Sequence, residues 1–157
     1  MFMQKYLPAL FLSLAMAPFL SISNAAASSS GPTAELPDRK SENPIKTMSD
    51  ATQFSLGLVG FAGNISAAEV AMRRIAKSEN AETRFSAVLN DPDTTTEGKL
   101  YALCGLKLIE SNHYSSAAQT LEKLGGKFST MYGDTLKKEE ITIGLERIDT
   151  SKCKEQK

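Results

Sequence analysis

Cys104, His113 and Cys153 are the side chains best suited to nucleophilic or metal chemistry. His113 is the only histidine. A hydrolytic triad or a Cys–His pair needs it beside a nucleophile and an orienting acid. Its neighbours, Ser111-Asn112-His113-Tyr114, instead have the composition of a turn between helices. Zinc wants several His or Cys ligands at close spacing, which one histidine and two distant cysteines do not supply. There is no G-x-S-x-G and no H-E-x-x-H. Paired acids occur as Asp91 with Asp93 and as Glu139-Glu140. Two carboxyl groups facing across a cleft can hydrolyse glycosides, but Asp91-Pro92-Asp93 is also a stereotyped turn. The expectation is therefore no catalytic residue, no metal and no cofactor.

Other short patterns have plain explanations. Gly57, Gly60 and Gly63 recur every third residue, which suits a turn or close packing. They do not form the G-x-G-x-x-G that opens a dinucleotide-binding helix. Arg73-Arg74 and Lys137-Lys138 have the character of solvated faces. Asn64-Ile65-Ser66 fits an N-glycosylation acceptor, while Ser66 also suits a helix cap.

The elements that must position these residues are mostly helical. Ser66-Ala67-Ala68-Glu69 is a capping box, and Ala68, Ala71, Met72 and Ile75 share the face that follows. Asn80 caps a second helix with Ala81, Phe85, Val88 and Leu89 on one stripe, ended by residues 90–93. Thr94-Thr95-Thr96-Glu97 opens a third helix. Its Leu100, Tyr101, Leu103, Cys104, Leu106, Leu108 and Ile109 cover most of the circumference, which predicts a central, buried helix. Ser116-Ala117-Ala118-Gln119 starts a fourth, with Leu121 and Leu124, stopped by Gly125-Gly126. A loop holding Phe128, Met131, Tyr132 and Gly133 follows. Asp134 or Thr135 then caps a last helix with the stripe Ile141, Leu145, Ile148, although Ile141-Thr142-Ile143 also suits a strand. Alternation of Phe54, Leu56 and Leu58 is compatible with a short strand near residues 53–59.

The fold class expected is all-α: a compact helical-hairpin array or bundle of about five helices. Over residues 66–125 the order helix–turn–helix, helix–turn–helix resembles HEAT-type repeats in architecture. No repeat consensus can be laid on the two pairs residue by residue. The resemblance implies helical hairpins whose faces or intervening grooves bind protein.

The N-terminus has the three zones of a secretory signal: Lys5, an apolar run over residues 6–22, and the small residues Ser23-Asn24-Ala25-Ala26-Ala27. Residues 1–25 are read as a signal peptide and 26–48 as a flexible polar linker. A single helical domain over 49–153 and a tail over 154–157 complete the organisation. Lysine plus arginine number 18, as do aspartate plus glutamate, so loss of Lys5 leaves about −1. This balance gives no footprint for nucleic acid, and no stable membrane anchor is expected after cleavage. The destination is periplasmic or extracellular.

In such a compartment Cys104 and Cys153 tend to pair, closing a loop of about fifty residues worth about 4 kcal/mol. A buried free Cys104 with a loose Cys153 is the alternative. With no active site assembled, the expected function is an exported, non-enzymatic module that binds a protein or peptide. A periplasmic immunity or inhibitor protein is its sharper form. A small carboxylate hydrolase acting on cell wall or glycan, and an envelope structural protein, are the rivals.

Overall fold

The structure is a computed structural model that describes residues 43–151, 153 and 154. The signal peptide, most of the expected linker and the last three residues of the tail lie outside the described residues. Among these, six helices and four short strands follow in the order α1 Pro44–Ser49, β1 Leu58–Val59, β2 Asn64–Ile65, α2 Ala67–Ala76, α3 Ala81–Asn90, α4 Thr96–Leu108, α5 Tyr114–Leu124, β3 Lys127–Tyr132, β4 Thr135–Glu140 and α6 Ile141–Ser151. The strands form two separate antiparallel pairs, β1–β2 and β3–β4. The protein is therefore mostly helical but α+β, which corrects the all-α expectation.

α4 is the centre of the fold, as its all-round apolar pattern requires. It packs against α1, α2, α3, α5, α6 and β3, and residues 100–106 are all buried. α2 contributes Ala68, Ala71, Met72 and Ile75 to this core, α3 contributes Ala81, Phe85 and Val88, and α6 contributes Ile141, Leu145 and Ile148. Each of these sets keeps the helical spacing visible in the sequence.

Gly105 lets α3 approach α4. A methyl group there would lie 2.3 Å from Phe85 Cζ and 2.4 Å from Cε1, and Phe85 is itself fully buried. Replacing Gly105 with alanine should therefore destabilise the protein by about 2 kcal/mol in urea unfolding, despite the roughly 1 kcal/mol gain in helix propensity. An unchanged or raised midpoint would mean that the two helices can slide apart at no cost.

The first helix lies ahead of the expected domain boundary at Ser49. Asn43 caps it by accepting from Ile45 N at 3.1 Å, Pro44 takes the first helical position, and Met48 is fully buried. The segment 53–59 forms a strand only at Leu58–Val59, paired with Asn64–Ile65. Between them Gly60 and Gly63 take φ of 71° and 60°, which a residue with a Cβ rarely adopts. The glycines thus serve a hairpin turn.

The largest departure from the sequence expectation is over residues 127–140. The expected loop and the proposed caps Asp134 and Thr135 form the β3–β4 hairpin, in which Tyr132 pairs with Thr135 and Lys127 with Glu140. Gly133, with φ of 56°, and Asp134 make its two-residue turn, and Gly-Asp is a known hairpin signal. Phe128 and Thr130 point inward and are buried.

The side of β3 away from β4 is also satisfied. Phe54 N donates to Ser129 O at 2.7 Å, Ser129 N to Glu97 Oε1 at 2.7 Å and Met131 N to Ser55 Oγ at 3.2 Å.

The capping boxes form only in part. Ser66 Oγ accepts from Glu69 N at 3.1 Å, but the Glu69 carboxylate turns away to other partners. Thr95, rather than Thr94, caps α4 by accepting from Gly98 N at 3.0 Å. Asn80 occupies the cap position of α3 without a side-chain bond. α5 starts at Tyr114 after His113, so Ser116 lies inside the helix and donates to His113 O at 3.0 Å.

Two long-range devices tie these parts to α4. The buried Tyr101 hydroxyl donates to Ser55 O at 2.8 Å and accepts from Ser55 N at 3.0 Å. It also shares a 2.8 Å bond with Ser66 Oγ. Burial holds this phenol above its ordinary pKa. The second device is the Cys104–Cys153 disulfide, with Cα atoms 5.7 Å apart and both cysteines fully buried. It joins the middle of α4 to the chain just beyond α6.

Candidate functional site

The residues singled out for chemistry do not converge. His113 stands exposed at the start of α5, and its Nε2 lies 3.8 Å from Glu82 Oε1. Glu82 also accepts from Ser111 Oγ, and Ser111 Oγ accepts from His113 N at 3.1 Å. The group is a helix-end cluster holding the α4–α5 turn to α3. Asp91 Oδ1 accepts from Asp93 N at 2.9 Å, a side-chain-closed turn. Glu139 accepts from Arg147 Nη2 at 2.7 Å and from Tyr132 OH at 2.8 Å, whereas Glu140 pairs with Lys127 at 3.2 Å. Among the described residues no three His, Cys, Asp or Glu side chains group as metal ligands.

Arg73 departs from the solvated face assigned to it. Its Nε and Nη2 donate to Glu69 Oε1 at 3.0 and 2.6 Å. The other Glu69 oxygen accepts from Gly57 N at 2.8 Å. A fully buried carboxylate thereby fixes the entry to the β1–β2 hairpin.

What the structure does assemble is a pair of grooves on either side of α5. α3 and α5 each pack on α4, and the space between them is a cavity of about 210 Å³. Leu89 of α3, Leu106 of α4 and Leu121 and Leu124 of α5 supply its apolar surface, and Asn90 and His113 its polar rim. The α5 contributors 117, 120, 121 and 124 recur at three and four residues, so one helix face supplies that wall. Leu124 at its end is 68% exposed. A leucine left open beside a concave apolar surface can receive an apolar side chain from another molecule.

The second groove, of about 410 Å³, lies between α5 and α6, and Glu122, Glu146 and Asp149 bring carboxylates to it. Asp149 is held by Lys107 Nζ at 2.7 Å and Tyr114 OH at 2.6 Å. The Lys107 ammonium also sits 4.1 Å from the centre of the Tyr114 ring. The hydrogen bond from Lys107, then that from Tyr114, keep Asp149 below its usual carboxylate range. Burial, then the bond to Asp149, push the Tyr114 phenol well above its ordinary value. Asp149 is therefore an ionised anchor between α4, α5 and α6 and cannot act as a general acid near neutral pH. The grouping of Lys107, Tyr114 and Asp149 was not legible in the sequence, because residues on three different helices share no local pattern.

No protein-family model, curated protein or solved structure matches this chain.

Proposed function

We propose that the protein is an exported, non-enzymatic module that binds a protein or peptide partner through the α3–α5 groove. The observation that carries this is the apolar cavity floored by Leu106 and walled by Leu89, Leu121 and the exposed Leu124. A helix or extended peptide would insert an apolar side chain there, while Asn90 and His113 bond its backbone or polar flank. In this proposal the hairpins α2–α3 and α4–α5 present the groove, as the architectural resemblance to HEAT-type units implies. The sharper form, an immunity or inhibitor protein, makes the partner a secreted enzyme or toxin.

A phage-displayed random peptide library panned on the exported chain would test this. Enriched peptides should share an apolar anchor. Leu124→Glu should weaken them about tenfold or more, since it removes a leucine contact and places a charge against the anchor, whereas Leu124→Met should retain them. Equal affinity for the Glu variant would remove the groove from consideration.

One observation favours the hydrolase as a second possibility: Glu122 and Glu146 line the α5–α6 cavity. That enzyme would have to work with those two carboxyls, because Asp149 is committed to Lys107 and Tyr114. Turnover of peptidoglycan fragments that disappears in Glu122→Gln or Glu146→Gln would replace the binding proposal with the enzymatic one.

A further inference from the structure

The β3–β4 hairpin leaves one strand edge open. Ile141 N donates to Gly126 O at 3.0 Å, which continues the ladder in which 128 pairs with 139, 130 with 137 and 132 with 135. In an antiparallel pair, alternate residues bond across and the others turn their N–H and C=O outward. Ser129 and Met131 on the outer side of β3 find Phe54, Ser55 and Glu97. Leu136 and Lys138 on the outer side of β4 have no backbone partner among the described residues. Every residue of β4 except Glu139 is exposed, and among the described residues none bonds to the backbone along this edge.

An open edge of this length is a template for another strand. Natural edges are commonly blunted by lysines of one sign, yet Lys137-Lys138 is followed at once by Glu139-Glu140. The strand's charges cancel. They are also complementary to themselves when the strand runs antiparallel to a copy, the arrangement a two-fold dimer imposes.

We propose that β4 pairs edge to edge with β4 of a second copy of this chain, about a two-fold axis through Lys138, making a four-stranded sheet. Lys137 of each copy then lies opposite Glu139 of the other, whose carboxylate keeps its bonds from Arg147 and Tyr132 of its own copy. Such cross-strand pairs of opposite charge favour one register. The two Lys138 side chains meet at the axis, which is unfavourable. Their long stems let each ammonium lean to Glu140 of the other copy, its diagonal neighbour, which it would share with Lys127 of that copy. The Leu136 and Lys138 amides gain partners in every such pairing. The contact is small, so the dimer is weak and concentration-dependent. It leaves the α3–α5 groove, built from other elements, open on both copies.

Sedimentation velocity on the exported chain should show dimer growing with concentration. Hydrogen exchange at the Lys138 amide should slow in parallel. Lys138→Pro removes an N–H that faces away from β3, a place where an edge strand tolerates proline. It should raise the dimer dissociation constant about tenfold or more, with the circular dichroism spectrum unchanged. A chain that stays monomeric at every concentration would overturn the proposal. So would a dimer indifferent to Lys138→Pro, or exchange that slows at α5 while Lys138 is unaffected. The wild-type exchange measurement decides the matter even if the proline variant fails to fold.

Discussion

Replacing Arg73 with alanine should destabilise the protein by about 3–5 kcal/mol, and more than replacing its partner Glu69. The asymmetry follows from exposure. The Glu69 side chain is 0% exposed and that of Arg73 17%. Without Arg73, the carboxylate loses its counter-ion and keeps only the 2.8 Å bond from Gly57 N among the described residues. Without Glu69, the guanidinium can extend to solvent. What remains is an unpartnered Gly57 N–H and a small cavity, at about 1–3 kcal/mol. Removing both should cost less than the sum of the single losses, because the second change relieves the buried charge left by the first. Urea unfolding of the three variants checks this. Glu69→Ala costing as much as Arg73→Ala would mean that the pair acts through packing rather than charge. The β1–β2 hairpin, whose entry Glu69 holds, should be the first region to lose protection from hydrogen exchange.

Loss of the disulfide should be the other large effect. Cys104→Ser and Cys153→Ser should each cost about 2–4 kcal/mol, and the double variant little more than either, because either change opens the same 49-residue loop. The bridge secures the end of α6 to the middle of α4, so the loss should be felt first at residues 148–151. Leu103→Ala, one position from Cys104, should cost roughly 2–5 kcal/mol in oxidised and reduced protein alike, since it acts through a cavity. Alkylation of the denatured, non-reduced protein recovered outside the cytoplasm should find no thiol. Intact-mass measurement of that protein should place the new N-terminus at or near Ala25 or Ala27. Two reactive thiols would overturn the bridge in the exported protein, and retention of residues 1–25 would overturn cleavage.

The sequence by itself determined the helical core and the residues that fill it. Phe85 and Val88 in α3, the continuous apolar run of α4, and Ile141, Leu145 and Ile148 in α6 were legible because helical burial repeats every three to four residues along one segment. The cysteine pair was legible because an expected export signal and an even count suffice to suggest it. The tertiary structure alone decided features that depend on distant partners. Residues 127–140 form a hairpin that local signals leave undecided, because Gly133-Asp134 suits a hairpin turn while Asp134 and Thr135 are equally good helix caps. Pairing of β3 with Phe54, Ser55 and Glu97 settles between the two. α1 was hidden in a polar stretch, where a cap, a proline and the buried Met48 suffice once α2 and α4 offer a surface. Glu69 stands where a capping box places it and Glu97 one residue short of that position, yet both satisfy the backbone of other segments. The α3–α5 groove exists because both helices rest on α4 and leave a cavity between them. Spacing along one helix reports which face is apolar, and only the packing of neighbouring helices determines how much of that face is covered.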